Sequence, residues 1–313
     1  MEKLSFVIPC YGSELVINDV LDEIHEVIIQ KPEYDYEIIC VNDCSPDNVL
    51  DVLIERAEND NRIVVADLTK NVGKASAVLA GYSIVSGDYV INIDDDGQCP
   101  LDELWNLFAP ILEGKDAVFA AYTKKKQSVI KNIGSQLDSL MACLLIGKPK
   151  GLKTSNFSVV RRYVVDKIKQ YKHTYPYLSG LIFKTTSNVA NVTMEERERP
   201  IGRGNFTIRK SLSLWMNGFT AFSVIPLRIS SIIGSLTAIV GFIYGASIIV
   251  RRLFIDPNMA IGYPSLMSAI LFVGGMIMLM LGMLGEYVGR IYINQSSLPQ
   301  YTIRKTVRGI GTK

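Results

Sequence analysis

The chain has 313 residues, with 33 basic and 31 acidic side chains and a formal net charge of +2. That near-balance excludes nucleic-acid binding through bulk charge. A hydrophobic content of 48% is high for a soluble protein yet low for a transporter with many spans. A cut after Arg228 separates two unlike parts: residues 1–228 hold 26 basic and 29 acidic groups, or −3, and residues 229–313 hold 7 and 2, or +5.

In chain order, apolar runs of strand length and β-branched content occur at Leu4–Ile8, Glu37–Val41, Ile63–Ala66, Tyr89–Ile93 and Ala117–Ala121. Helical patterns lie between them at about Glu14–Ile29, Asp47–Glu58, Gly73–Val85 and Asp102–Leu112. This succession predicts an α/β fold, a mainly parallel sheet covered by helices on both faces. Ligands of such sheets bind outside the carboxyl ends of the strands. The residues at those ends are Pro9-Cys10-Tyr11-Gly12, Asn42-Asp43-Cys44-Ser45-Pro46-Asp47, Asp67 with Lys70-Asn71-Val72-Gly73-Lys74, and Asp94-Asp95-Asp96-Gly97-Gln98.

Three consecutive carboxylates repel one another unless a cation compensates them. Oxygen ligands of this kind suit Mg²⁺ or Mn²⁺, completed by substrate phosphates. Alternation along an extended segment puts Asp94 and Asp96 on one side and Asp95 on the other. No GxxxxGK[ST] or GxGxxG motif occurs, which disfavours a P-loop kinase or a Rossmann dehydrogenase. The five cysteines, at 10, 40, 44, 99 and 143, form no CxxC pair and read as small buried hydrophobes.

Beyond the sheet, Lys124-Lys125-Lys126 precedes an amphipathic stretch at Val129–Ile146 that fits a plain core helix as well as a membrane-surface one, the lysines slightly favouring the surface, and Ser211–Val224 with Trp215 is a second candidate for the membrane surface. Between them, Arg197 to Phe206 combines arginines suited to phosphate with glycines that allow close approach. Ile229–Val250 and Tyr263–Gly285 are uncharged runs of 22 and 23 residues. As helices each reaches roughly 33 Å, enough for a hydrocarbon core of about 30 Å. The short connection through Asp256-Pro257-Asn258 predicts a hairpin with both ends on one side. The N-terminus lacks the pattern of a signal peptide, so that side is expected to be cytoplasmic, at the inner or plasma membrane. Arg228, Arg290, Arg304, Lys305 and Arg308 agree with the positive-inside tendency, against Arg251 and Arg252 on the far side. Gly241 and Gly245 form a GxxxG pair compatible with a homo-oligomer. The expected division is a catalytic domain at 1–207, a juxtamembrane helix at 208–228, a two-span hairpin at 229–288 and a basic tail at 289–313.

The ordered motifs Val7-Ile8-Pro9-Cys10-Tyr11, Val41 to Asp47, Leu68 to Lys74 and Asp94 to Gln98 resemble family 2 glycosyltransferases of the GT-A (Rossmann-like) fold. With the hairpin and the ending Gly285-Glu286-Tyr287-Val288-Gly289-Arg290, the chain is similar to the polyprenyl-phosphate sugar transferases, the dolichyl-phosphate mannose synthase and bactoprenol glucosyltransferase branch. The resemblance implies inverting, metal-dependent transfer of one sugar from a nucleoside-diphosphate sugar, a UDP-sugar favoured over a GDP-sugar, to a polyprenyl phosphate. It assigns Asp94 and Asp96 to catalysis and metal, and Pro9, Tyr11, Asp43, Lys70, Asn71 and Asp94 to the donor. It places Arg199 and Arg203 on the acceptor phosphate. The chain departs from the family pattern in two places. Gly204-Asn205-Phe206 stands where relatives have Ser-Lys-Tyr, and Asn156 and Ser158 flank Phe157 where relatives often have an acid and a base. Two other readings fit the same residues: transfer onto a lipid that already bears a saccharide, and an inactive membrane-anchored scaffold.

Overall fold

The computed structural model describes residues 1–123, 148–149, 151–172, 176–197, 225–255, 262–295 and 299–309. The segments 129–146 and 211–224, candidates for the membrane surface, lie outside the described residues. The chain divides into two compact units, Met1–Trp215 with Ser297–Lys313 and Met216–Ser296.

In the first unit, eight strands among the described residues form one sheet in the order β7-β5-β6-β4-β1-β2-β3-β8. Its central strands, β1 (Lys3–Cys10), β2 (Asp35–Asn42), β3 (Ile63–Leu68) and β4 (Tyr89–Asn92), pair in parallel. Both faces of these strands are buried, as their near-continuous apolar runs require. Helix α1 (Ile17–Ile29) buries Ile17, Val20, Leu21, Ile24, Val27 and Ile28, a stripe at helical spacing. Helices α2 (Val49–Asn59) and α4 (Leu104–Leu112) bury one face each, whereas α3 (Lys74–Ile84) is buried from Ser76 through Tyr82. The reason lies at Gly81, where a Cβ would stand 2.5 Å from Val7 Cγ1. Only glycine lets this helix lie so close to β1.

The sheet is less parallel than its first half suggests. β5 (Ala117–Tyr122) pairs in parallel with β7 (Val189–Met194), but β6 (Ser158–Arg161) runs antiparallel to both β4 and β5. Because β6 runs the other way, its first residues lie at the carboxyl end of β4, with Ser158 opposite Asn92. Helices α5 (Arg162–Ile168) and α6 (Leu178–Thr185) follow. The Arg161 guanidinium donates to the carbonyls of Ile111 (2.6 Å) and Lys115 (2.9 Å), closing the C-terminal end of α4.

The second unit holds α7 (Ile225–Phe254) and α8 (Tyr263–Gln295). Both are long and apolar enough to cross a membrane, over Ser230–Ile248 and Phe272–Ile293. Ser231, Ser235 and Thr237 donate back to carbonyls four residues earlier, so their hydroxyls are satisfied within the helix, as a hydrocarbon environment demands. At Gly234 a Cβ would meet Met280, so the two helices touch there. Helix α8 continues past Gly285 through Glu286 and Arg290, further than the uncharged run indicates. The expected basic tail is also more ordered than its charge suggests. Ile303–Arg308 forms β8, antiparallel to β3 at the sheet's edge.

At the amino end of the strands a buried carboxylate ties three segments together. Glu37 accepts Ser5 Oγ (2.6 Å), the Ser86 amide (2.6 Å) and Ser86 Oγ (2.7 Å), and pairs with Lys3 Nζ (3.0 Å). Burial pushes its pKa up, but the hydrogen bonds from Ser5, Ser86 and Lys3 outweigh burial and hold it below the usual value. Its stabilisation is therefore complete above the unfolded-state pKa of about 4.3 and is lost as pH falls through the lower folded value. Glu37→Gln is expected to destabilise this unit by about 1.5–3 kcal/mol at pH 7. Unfolding midpoints of wild type and variant should converge in acid; parallel pH curves would refute the assignment.

Candidate donor site at the carboxyl edge of the sheet

At the end of β2, Asp43 is almost fully buried. Its two oxygens accept the amides of Val72 (2.7 Å) and Gly73 (2.9 Å), and its own amide donates to the Cys10 carbonyl (3.0 Å). Burial raises the Asp43 carboxyl above its ordinary value, with the two amides opposing. Gly73 has φ +83°, a left-handed conformation that glycine adopts without strain, and α3 begins at the next residue. Asp43, assigned to the donor by resemblance, is thus also the clamp that shapes the loop carrying Lys70 and Asn71. Both of those residues are exposed on that loop.

The first turn after β1 is fixed from β2 and β4. The Gly12 amide donates to Ser45 Oγ (2.8 Å), which donates to Asp47 (2.6 Å); Asp47 also accepts the Glu14 amide (2.9 Å). Pro9 is buried in β1, and Tyr11 is half exposed beyond it. The Tyr11 amide donates to Asp95 Oδ2 (2.8 Å). Burial raises the Asp95 carboxyl, with the Ser13 hydroxyl and the Tyr11 amide opposing. Asp95 therefore turns inward to hold the β1 turn, from a turn that begins beyond the end of β4 and outside any extended segment.

Asp94 faces a different set of partners. Lys74 Nζ forms an ion pair with Oδ1, and Asn156 Nδ2 donates to Oδ2 (3.1 Å). Behind Asn156, Asn92 Nδ2 donates to Ser158 Oγ (3.1 Å), which donates to the Asn156 carbonyl (3.2 Å). Tyr82, Asn92, Asp94, Asn156, Ser158 and Ser179 line a cavity of ≈ 30 Å³ here, room for about two waters. Asp96 accepts the Gln98 amide (3.1 Å). Gln98 in turn exchanges two hydrogen bonds with the backbone of Arg197, both 3.2 Å. The Arg197 guanidinium is held by Glu23 (2.7 Å) and Asp102 (2.5 Å), so it is a strut of this edge. Arg199 and Arg203 lie outside the described residues.

Among the described residues, no group of three or more His, Cys, Asp or Glu converges on one point. The oxygen donors of Asp94 and Asp96 fit a hard cation whose remaining ligands come from a bound phosphate, which is how Mg²⁺ is commonly held. The site residues that sequence reasoning missed are Lys74, Asn156 and Gln98. Lys74 was visible as the second lysine of Lys-Asn-Val-Gly-Lys, but nothing local distinguishes it from a solvated helix-start lysine. Cys44 corrects the reading of the cysteines: it is exposed, at φ +50°, whereas Cys10, Cys40 and Cys99 are buried.

Residues 5–172 match the model of glycosyl transferase family 2, and residues 225–291 match that of the GtrB C-terminal hairpin. The chain is 33% identical over 310 residues to the SfII prophage-derived bactoprenol glucosyl transferase of Shigella flexneri, covering 98% of this chain and 99% of that one. It is 30% identical over 311 residues to the undecaprenyl-phosphate 4-deoxy-4-formamido-L-arabinose transferase of Yersinia enterocolitica, covering 98% and 94%. In fold it is similar to glucosyl-3-phosphoglycerate synthase from Mycobacterium tuberculosis, crystallised with Mn²⁺, uridine diphosphate and phosphoglyceric acid. The TM-score is 0.52 at 18% identity, over 70% of this chain and 76% of that one. The chain is therefore a glycosyltransferase of family 2, with a GT-A-type mixed α/β sheet and a GtrB-type C-terminal hairpin.

Proposed function

We propose that the protein transfers one sugar from a nucleoside diphosphate, with uridine favoured, to a polyprenyl phosphate at the cytoplasmic face of the cell membrane, inverting the anomeric centre. The observation that carries this reading is Asp94, fixed at the end of β4 between Lys74 and Asn156, in a chain that also has two apolar helices. Both named relatives act on lipid carriers of this class by their names, and the alignments span nearly the whole chain.

Pro9, Tyr11, Asp43, Lys70 and Asn71 form the donor edge, and Asp94 and Asp96 would hold a divalent cation, Mg²⁺ or Mn²⁺, against the donor diphosphate. When bound, such a cation stabilises the departing diphosphate. Arg199 and Arg203 are assigned to the acceptor phosphate, where guanidinium groups orient its oxygens in a fork. Arg197 is already engaged by Glu23 and Asp102, which leaves the later arginines for that task. Asn156 cannot serve as a general base. The reaction needs none, because a phosphate monoester with a second pKa of about 6 is a dianion at pH 7. Alignment and leaving-group stabilisation are then the enzyme's main contributions.

Asp96→Asn is expected to lower transfer by about 10²-fold or more in purified membranes with excess metal and donor; unchanged transfer would refute the metal assignment. Transfer should rise from pH 5 to a plateau above pH 7 with an apparent pKa of about 6, set by the acceptor phosphate. Asn156→Ala should keep that rise with the same apparent pKa, since its amide does not titrate; a wild-type profile flat between pH 5 and 7 would refute the acceptor dianion as the nucleophile. Uridine and guanosine diphosphate sugars tested against radiolabelled polyprenyl phosphate should give a lipid-linked monosaccharide. Product formed only from a lipid already carrying sugar would overturn the acceptor, and no product from any donor would favour the inactive scaffold.

A further inference from the structure

The proposed metal ligand Asp94 is not idle in this structure. Its Oδ1 is paired with the ammonium of Lys74, and its Oδ2 is held by Asn156, which limits rotation of the carboxylate. A divalent cation binding Asp94 must displace that ammonium or share its oxygen. Lys74 can move without disturbing the fold. Its side chain is about half exposed, 46%, on a flexible four-carbon stem. The base of the stem stays fixed, because Asp43 holds the amides of Val72 and Gly73 immediately before it.

We infer that Lys74 is an exchangeable counter-ion: it neutralises Asp94 in the resting enzyme and transfers to a diphosphate oxygen of the donor when the cation arrives. A cation arriving alone displaces the lysine and leaves its charge unmatched beside another positive charge. A cation arriving with a diphosphate brings the anion that receives the lysine. The site therefore favours joint entry of metal and nucleotide over metal alone. The arrangement also explains how three consecutive aspartates coexist before substrate binds: Asp94 has Lys74, Asp95 has the Tyr11 amide, and Asp96 has the Gln98 amide. The inference rests on the divalent-cation reading of Asp94 and Asp96.

The test is Mn²⁺ binding by the full-length protein in detergent, read from the electron paramagnetic resonance of free Mn²⁺, with and without uridine diphosphate. Lys74→Met keeps the length of the side chain and removes its charge. It should bind Mn²⁺ alone about two- to five-fold more tightly than wild type, since an exposed pair is worth at most about 1 kcal/mol. In saturating Mn²⁺ it should bind uridine diphosphate about tenfold more weakly, having lost a charge-assisted phosphate contact. Lys74→Arg should restore both constants toward wild type. Opposite movement of the two constants is the signature, because a structural defect would weaken both. If Lys74→Met leaves both unchanged or weakens both while Mn²⁺ still binds, the exchange is refuted and the metal reading stands. If wild type binds no Mn²⁺ even with uridine diphosphate, the metal reading itself fails and the exchange with it.

Discussion

The site is organised around one electrostatic constraint: a run of carboxylates at the end of a buried strand has to be compensated group by group. Like charges a few ångströms apart in a partly desolvated place cannot all ionise without partners. The fold supplies each carboxylate with a different partner from a different element. Lys74 comes from the first residue of α3, Asn156 from the entry to β6, the Tyr11 amide from the turn after β1, and the Gln98 amide from the acidic loop itself. The close packing of α3 on β1 through Gly81 matters for the same reason, since it fixes where the Lys74 backbone stands.

The reversal of β6 has a chemical consequence. An antiparallel strand beside β4 brings residues 156–158 to the carboxyl end of the sheet, where a parallel neighbour would bring its last residues instead. An acid at position 156 would face Asp94 across about a hydrogen-bond length and repel it unless a cation or proton lay between them. Asparagine donates there, so the change from the family pattern converts a repulsive neighbour into one that orients Asp94. Ser158 is likewise absorbed into the hydrogen-bond chain with Asn92. These departures are coherent with a retained acidic edge and give no sign of its decay.

The first four strands and helices were legible because each is a long segment with one period, buried on both faces for strands and on one face for helices. The elements that were not legible are short or lie at an edge. β6 has four residues, and β8 holds three basic residues and only two apolar ones, Ile303 and Val307, and so reads as a solvated tail, because an edge strand with one exposed face has little apolar signal. At the site, the sequence located the acidic run at the end of β4, since a strand followed by consecutive carboxylates is a local pattern, although Asp95 and Asp96 stand in a turn where alternation along an extended chain does not apply. It did not pair Lys74 with Asp94 or Asn156 with Asp94, because those contacts span 20 and 62 residues and depend on how α3 and β6 lie against β4. Asp43 shows both sides of this limit: a carboxylate after β2 was visible as a donor-edge residue, whereas its hold on the Val72 and Gly73 amides needed the tertiary fold.

The return of the chain to the sheet after the hairpin alters the meaning of the charge division at Arg228. Residues 303–308 of the positive C-terminal part are a paired strand, where a free polybasic tail was expected. The Thr69 amide donates to the Thr302 carbonyl (3.0 Å), and Arg304 lies 3.6 Å from the buried carboxylate of Asp67, which also accepts Asn42 Nδ2 (2.8 Å). On the other side of the hairpin in sequence, Arg197 is joined to Gln98 at the acidic loop. Thr302 and Arg197 are therefore each hydrogen-bonded to a loop at the carboxyl edge of the sheet, one beside Lys70 and Asn71 and one beside Asp96. Some of the basic charge beyond the hairpin is thus part of the catalytic unit, where Arg304 stands beside Asp67, an acid that the parallel sheet would otherwise bury with asparagine as its neutral partner.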